Sequence, residues 1–245
     1  MEVTIESRVR ANSVESAGVG VTRPMLAIDT ATDRAAVALG LPDGAILASP
    51  LDESKRQARR LSATIRDLLR EARLRVQDLE AVGVGLGPGS FTGLRIGVTA
   101  AKTLAYAVGC RVVGLDSLEV LARNAQADVL SIAVMIDAQR GDVFVAEFLR
   151  RQPGDVPVRV EPTRVISLTR WIEKLAPGTL VLGPRLGREP EWPERLIRGD
   201  VEAGFPDGRR LIELTRERSV ERDAIDPWFL EPNYVRRSAA EEKAG

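Results

Sequence analysis

The sequence predicts an α/β protein of two lobes, and three stretches carry the prediction. Residues 25–51 read as three short strands joined by turns, residues 81–115 as strand, glycine loop, helix and strand, and residues 130–149 as a hairpin that opens a second half. A chain of 245 residues can bury one large core or two modest ones. The expected division is a disordered leader at residues 1–24, an N-terminal lobe at 25–110, a C-terminal lobe at 111–237 and a frayed tail at 238–245. The seam is expected near residues 109–116.

Each element has a local reason. The leader mixes charge with small residues and lacks the apolar core of a signal peptide. Residues 25–29 form an apolar run ending in Asp29, Thr30 to Asp33 supply turn chemistry, and residues 35–41 form a second run. Pro42-Asp43-Gly44 turns the chain into a third strand at 46–51, so the three make an antiparallel meander. A helix follows over 54–73, with Leu61, Ile65, Leu68, Leu69 and Ala72 on one face and Arg56, Arg59, Arg60, Arg66 and Arg70 elsewhere. That basic surface suits plain solvation, an acidic partner or RNA.

The central stretch begins with a Val/Gly run at 81–86 and breaks at Gly87-Pro88-Gly89-Ser90. It continues as a helix to Val108, turns at Gly109 and ends in a strand at 112–115. Ser90 or Thr92 can cap the helix, and a strand feeding a helix amino end through glycines is a place for an anion. The loop lacks the lysine of a Walker A motif and does not fit G-x-G-x-x-G, so a plain tight turn competes with a phosphate site. Along the helix Leu94, Val98, Ala101, Ala105 and Val108 make an apolar stripe, and Arg95, Thr99, Lys102 and Tyr106 a polar one. Gly93, Gly97 and Ala101 repeat at four residues, which lets another backbone come close, in the protein's own core or against a partner.

Past the seam, Asp116-Ser117 caps a helix at 118–124, and strands at 130–137 and 143–149 flank the turn Gln139-Arg140-Gly141-Asp142. A strand near 158–160, a helix at 168–175 capped by Ser167, a strand at 179–182, an irregular proline-rich stretch at 183–208 and a helix at 209–218 follow. Residues 227–236 read as an ordered, extended tail that packs down its aromatics. The sequence has no residue-level repeats.

Composition removes several chemistries. Lys+Arg and Asp+Glu both number 35, so no global basic field draws in nucleic acid. Histidine is absent and Cys110 is the single cysteine, which removes the usual zinc ligands, intrachain disulfides and histidine-based triads. Cys110 is expected as a small buried hydrophobe at a helix end. Carboxylate chemistry, magnesium or no chemistry remain. No apolar run approaches a membrane span, and a cytoplasmic, soluble protein is expected.

With Ala27-Ile28-Asp29-Thr30-Ala31-Thr32, the run from Gly87 through Pro88, Gly89, Ser90, Phe91, Thr92, Gly93, Leu94, Arg95 and Ile96 to Gly97, and the pair Ala101-Lys102, the chain resembles the TsaB (YeaZ) family. The likeness extends more weakly through residues 136–144 and 232–236. It implies the two-lobed fold of actin, sugar kinases and heat-shock chaperone ATPases with a degenerate active site. The family's members are subunits of the bacterial machinery that makes threonylcarbamoyladenosine beside the tRNA anticodon, in tRNAs reading ANN codons.

The resemblance implies a non-catalytic scaffold that binds the catalytic subunit TsaD and helps recruit the ATPase TsaE, with tRNA reached only through the complex and a homodimer open to the free chain. It also implies an interface on the helices 54–73 and 92–108, with Leu61, Ile65, Leu68, Gly93, Gly97, Ala101 and Lys102 as its candidate residues. In the wider superfamily the first hairpin and the glycine turns hold nucleotide phosphates, and an early Asp places a metal. Here the matching candidates are Asp29, Thr32, Gly87, Gly89 and Ser90, while Ala31 stands where the ATPases carry glycine and Gln57-Ala58 where many relatives have His-Ser/Thr. No catalytic residue, metal ligand or cofactor is assigned. The competing expectation is a magnesium- and ATP-dependent phosphotransferase, with Asp29 and Asp137 on the ion and residues 87–90 on phosphate. A direct tRNA-binding module resting on the arginine-rich helix is the third.

Overall fold

The computed structural model describes residues 23–51, 57–188, 192–220 and 224–236. Most of the expected leader, the tail beyond residue 236, the start of the first helix and the side chains of Gln57 and Ala58 lie outside the described residues.

The first lobe opens with the expected meander. Strands β1 (Met25–Asp29), β2 (Ala35–Gly40) and β3 (Ile46–Leu51) pair antiparallel in sequence order. Helix α1 (Gln57–Glu71) returns the chain, and β4 (Ala81–Gly85) enters parallel to β1. Helix α2 (Phe91–Val108) crosses to β5 (Arg111–Leu115), parallel to β4. Ser90 caps α2, its Oγ accepting from the Gly93 amide at 3.2 Å, and Gly109 ends it in the left-handed region at φ 69°. Cys110 is buried directly after that turn. Because β5 joins the first sheet, the first lobe runs on to Leu115 and the boundary falls beyond residue 110.

The second lobe repeats the plan in short form. Helix α3 (Ser117–Ala122), capped by Asp116, leads to the hairpin β6 (Ser131–Asp137) and β7 (Asp142–Leu149). Strands β8 (Val158–Arg159) and β9 (Arg164–Ser167) both pair with β7. Helix α4 (Leu168–Lys174) precedes β10 (Leu180–Leu182) and β11 (Ile197–Arg198), which extend the sheet in parallel from β6. Ser167 sits at the start of α4 without a side-chain cap, because it also closes β9. The stretch expected as irregular holds two 3-10 turns besides β11.

Helix α5 (Gly208–Val220) and β12 (Ala224–Ile225) then go back to the first lobe. The first sheet has the order β12-β5-β4-β1-β2-β3 and the second β11-β10-β6-β7-β8. With α helices around both, this is the pair of α/β lobes that the sequence predicts, in the actin and sugar-kinase type of architecture that the resemblance implies.

Alternation along the strands divides the cores. On the first sheet, Leu26, Ile28, Val37, Leu39, Val82 and Val84 face α1 and α2, while Ala27, Ala36, Ala38 and Val113 face Leu211, Ile212 and Leu214 of α5. On the second, α3 covers one face and α4, with the fully buried Trp171, the other. The lobes meet where α3 touches α5. There Arg123, nearly buried, holds Glu217 at 2.8 Å and Glu119 at 3.0 Å. Among the described residues no helix is long and apolar enough to cross a membrane.

Candidate functional site

The glycine loop sits at the seam, and its glycines serve close packing against the chain's own first turn. Gly87 has φ 102°, which favours glycine, and the Gly87-Pro88 peptide is cis. A Cβ on Gly89 would stand 2.3 Å from the Ala31 carbonyl oxygen, one on Gly93 2.0 Å from that of Thr30, and one on Gly97 2.4 Å from Thr30 Oγ1. The contact is fastened by hydrogen bonds. The Ser90 amide donates to Ala31 O at 2.8 Å and Thr30 Oγ1 donates to Gly93 O at 2.7 Å. The side of these glycines on which a Cβ would stand is thus filled by backbone from residues 30 and 31.

Asp29 lies beneath this junction with no exposed surface. Its Oδ1 accepts from the Ala31 amide at 2.8 Å, and its Oδ2 has no hydrogen-bond partner among the described residues. Burial pushes the carboxyl up to about 6, against the pull of the Ala31 amide. Thr32 is buried too, its Oγ1 donating to Arg34 O at 2.7 Å.

A cavity of about 210 Å³ opens beside the loop. One wall is Gly89, Ser90, Phe91 and Leu94; a second is the hairpin turn with Asp137, Gln139, Arg140 and Phe144; the third is residues 233–236. The last of these form a strap. The Asn233 amide donates to Leu86 O at 2.8 Å, the Tyr234 ring lies 5.0 Å from Phe91, and Arg236 Nη1 donates to Ala138 O at 2.9 Å across the seam. Arg95 completes a stack, its guanidinium 3.9 Å over Phe91 and its Nε donating to the Tyr234 hydroxyl at 3.1 Å.

Of the phosphate candidates, Gly89 and Ser90 line this cavity and Asp29, Thr32 and Gly87 do not. The metal that the wider superfamily implies does not fit these residues. Asp29 is walled in, Ala31 carries its methyl 2.7 Å from where a Gly89 Cβ would be, and no cluster of acidic or sulfur ligands occurs among the described residues. Asp137, at the cavity, accepts from the Gln139 amide at 2.8 Å and pairs with Arg185 at 3.5 Å.

All of the candidate interface residues except the half-buried Lys102 occupy the protein's own interior. Leu61, Ile65, Leu68 and Ala101 are buried in the first core, and Gly93 and Gly97 are spent on Thr30. Lys102 Nζ donates to the carbonyls of Trp228 and Leu230, both at 3.2 Å. What α1 and α2 leave to solvent is a different set: Arg60, Ser62, Arg66, Asp67, Arg70 and Glu71 among the described side chains of the first, and Thr92, Arg95, Thr99, Thr103, Tyr106 and Ala107 on the second. The tail does not pack down all its aromatics either. Leu230 supplies its buried anchor, while Trp228 and Phe229, on a 3-10 turn at Pro227–Phe229, are 71% and 73% exposed. Sequence reasoning missed the strap's place in the cavity wall; its only local signal was the ordered aromatic tail.

Fold and site define a two-lobed actin-like chain whose glycine loop is closed on itself. A family model described as TsaD, tRNA N6-adenosine threonylcarbamoyltransferase, matches residues 48–180. The tRNA threonylcarbamoyladenosine biosynthesis protein TsaB of Bacillus subtilis is 31% identical over 224 residues, covering 89% of this chain and 96% of that protein. TsaB of Escherichia coli is 28% identical over 229 residues, covering 89% and 97%. The solved structure of YeaZ from Pseudomonas aeruginosa superposes with a TM-score of 0.73 at 26% identity, over 87% of this chain and all of that one. The chain belongs to the TsaB (YeaZ) family.

Proposed function

We propose that this chain is a non-catalytic subunit of the machinery that installs threonylcarbamoyl on the adenosine beside the tRNA anticodon. It binds a TsaD-like catalytic subunit, helps recruit a TsaE-like ATPase and meets tRNA only through the complex. The observation that carries the reading is the self-packed loop: Thr30 and Ala31 press against Gly89, Gly93 and Gly97, and Asp29 is sealed below. A peptidase role, suggested by the description of a second Pseudomonas structure as similar to peptidase YeaZ, could use neither a histidine base nor an exposed thiol here, since the chain has no histidine and its one cysteine is buried.

The partner meets the outward faces of α1 and α2. Leu61, Ile65, Leu68, Gly93, Gly97 and Ala101 hold those faces in place from beneath. Thr99 and Thr103, one turn apart and exposed, offer a flat, small-residue strip on which another helix can lie.

The test is reconstitution of threonylcarbamoyl transfer to tRNA from purified TsaD-like and TsaE-like proteins and a source of threonylcarbamoyl-adenylate, with and without this chain. We expect no transfer by the chain alone and transfer restored on its addition. Thr99→Glu with Thr103→Glu should abolish co-elution with the catalytic subunit while leaving the thermal midpoint in place. Transfer that is unchanged when the chain is omitted overturns the proposal.

A further inference from the structure

The cavity at the seam is built from three parts of the chain that only the fold brings together. Phe91 and Leu94 of α2 come from the first lobe, Phe144 of β7 from the second, and Tyr234 and Val235 from the strap. Leu94 and Phe144 are buried, Phe91 and Val235 half-buried, and the stack of Arg95 with Phe91 and Tyr234 fixes two of the rings. Three aromatic rings thus line one hollow of about 210 Å³ in a chain that is only 4% aromatic.

The charged groups around the hollow work largely within the chain. Arg236 donates to Ala138 O and pairs with Asp142, and Asp137 accepts from the Gln139 amide and pairs with Arg185. Asp137 still puts a carboxylate on the wall, which opposes an anionic occupant, while Arg140 is exposed at its margin. Ser90 supplies a small polar contact. Its Oγ accepts from the Gly93 amide at 3.2 Å and, as a hydroxyl, keeps its own proton to donate.

This make-up favours a ring over a phosphate. An apolar cavity of about 150 Å³ is enough to hold benzene. At about 210 Å³ the seam cavity has room for one ring and a substituent. An anion would give up its water for a wall that carries a carboxylate, whereas a neutral ring gains contact with Phe91, Leu94, Phe144 and Tyr234 at no such cost. We propose that the seam cavity is a binding site for a small neutral aromatic molecule with one hydrogen-bonding substituent. The ring lies between Phe144 and the Phe91–Tyr234 pair, with its polar edge at Ser90. One ligand there touches both lobes and the strap.

The proposal is tested on the full chain alone, so its outcome is independent of the function proposed above. The probe is para-fluorophenol, followed by fluorine NMR. We expect saturable binding with a Kd on the order of 1 mM or tighter. The same ring bearing a negative charge, para-fluorobenzoate, should bind about tenfold more weakly or worse. Val235→Trp fills the cavity from the strap and should abolish binding. Tyr234→Ala should weaken it by about fivefold or more, and Tyr234→Phe should keep it within about twofold, because the ring makes the contact and the hydroxyl serves Arg95. The thermal midpoint of each variant checks that the fold is kept, and Tyr234, 43% exposed, can be changed without opening a core. No saturation up to about 10 mM overturns the proposal. So does para-fluorobenzoate or inorganic phosphate binding as tightly as the phenol, or binding indifferent to both Val235→Trp and Tyr234→Ala.

Discussion

Asp29 shows how burial sets the charge of a single carboxyl. A carboxyl with no exposed surface and one oxygen without a partner favours its neutral form, and burial raises it from 3.8 to about 6. The folded state then binds a proton more readily than the unfolded chain does. The stability this gives is fully present below about pH 4 and is lost as pH rises through about 6. The loss is on the order of 3 kcal/mol, from a shift of about two units at about 1.4 kcal/mol each. Asp29→Asn removes the titration while keeping an oxygen for the Ala31 amide. Its stability advantage over the parent in urea unfolding should therefore grow between pH 4.5 and 7.5. A difference that stays constant over that range would show that Asp29 does not titrate there.

At the scale of elements, the decisive contact is α2 on the turn after β1. Gly→Ala inside a helix ordinarily gains about 1 kcal/mol from propensity. At Gly93 the new methyl would meet the Thr30 carbonyl oxygen at 2.0 Å, in a turn fastened by the hydrogen bonds of Thr30 Oγ1 and Ala31 O, and overpacking of this sort costs about 1–3 kcal/mol or more. The clash wins, so Gly93→Ala should lower unfolding stability by about 2 kcal/mol net. A variant as stable as the parent would mean that the turn at residues 30–31 yields easily, and that the loop can open toward a ligand.

Across the whole molecule, the chain's end belongs to its beginning. The face of the first sheet formed by Ala27, Ala36, Ala38 and Val113 is covered by α5, which the chain adds only after completing the second lobe. A chain ending at Asp207 leaves that face in water and deprives Arg123 of Glu217, its partner across the seam. We expect such a fragment to lose its cooperative urea transition rather than keep a stable first lobe. A sharp transition in the fragment would show that α5 is an accessory. The same return of the chain places the second lobe's strand plan beside the first without any repeat in the residues.

By itself the sequence determined what depends on neighbours along the chain. The meander, the strand–loop–helix–strand at residues 81–115, the Ser90 and Asp116 caps, the Gly109 stop and the hairpin at Gln139 to Asp142 all follow from alternation, helical period and turn chemistry, which act over a few residues. The small-residue spacing at Gly93, Gly97 and Ala101 also announced a close approach. Only tertiary structure decided what approached: Thr30 and Ala31 of the same chain, some 60 residues earlier in sequence. It likewise decided that Leu61, Ile65 and Leu68 face inward, that β9 and β12 find ladder partners, and that Trp228 and Phe229 stay outside while Leu230 goes in. An apolar face on a helix says that something must cover it, and an aromatic says that burial would be favourable. Which surface does the covering depends on contacts between segments far apart in the chain, and those are fixed only when the sheets assemble.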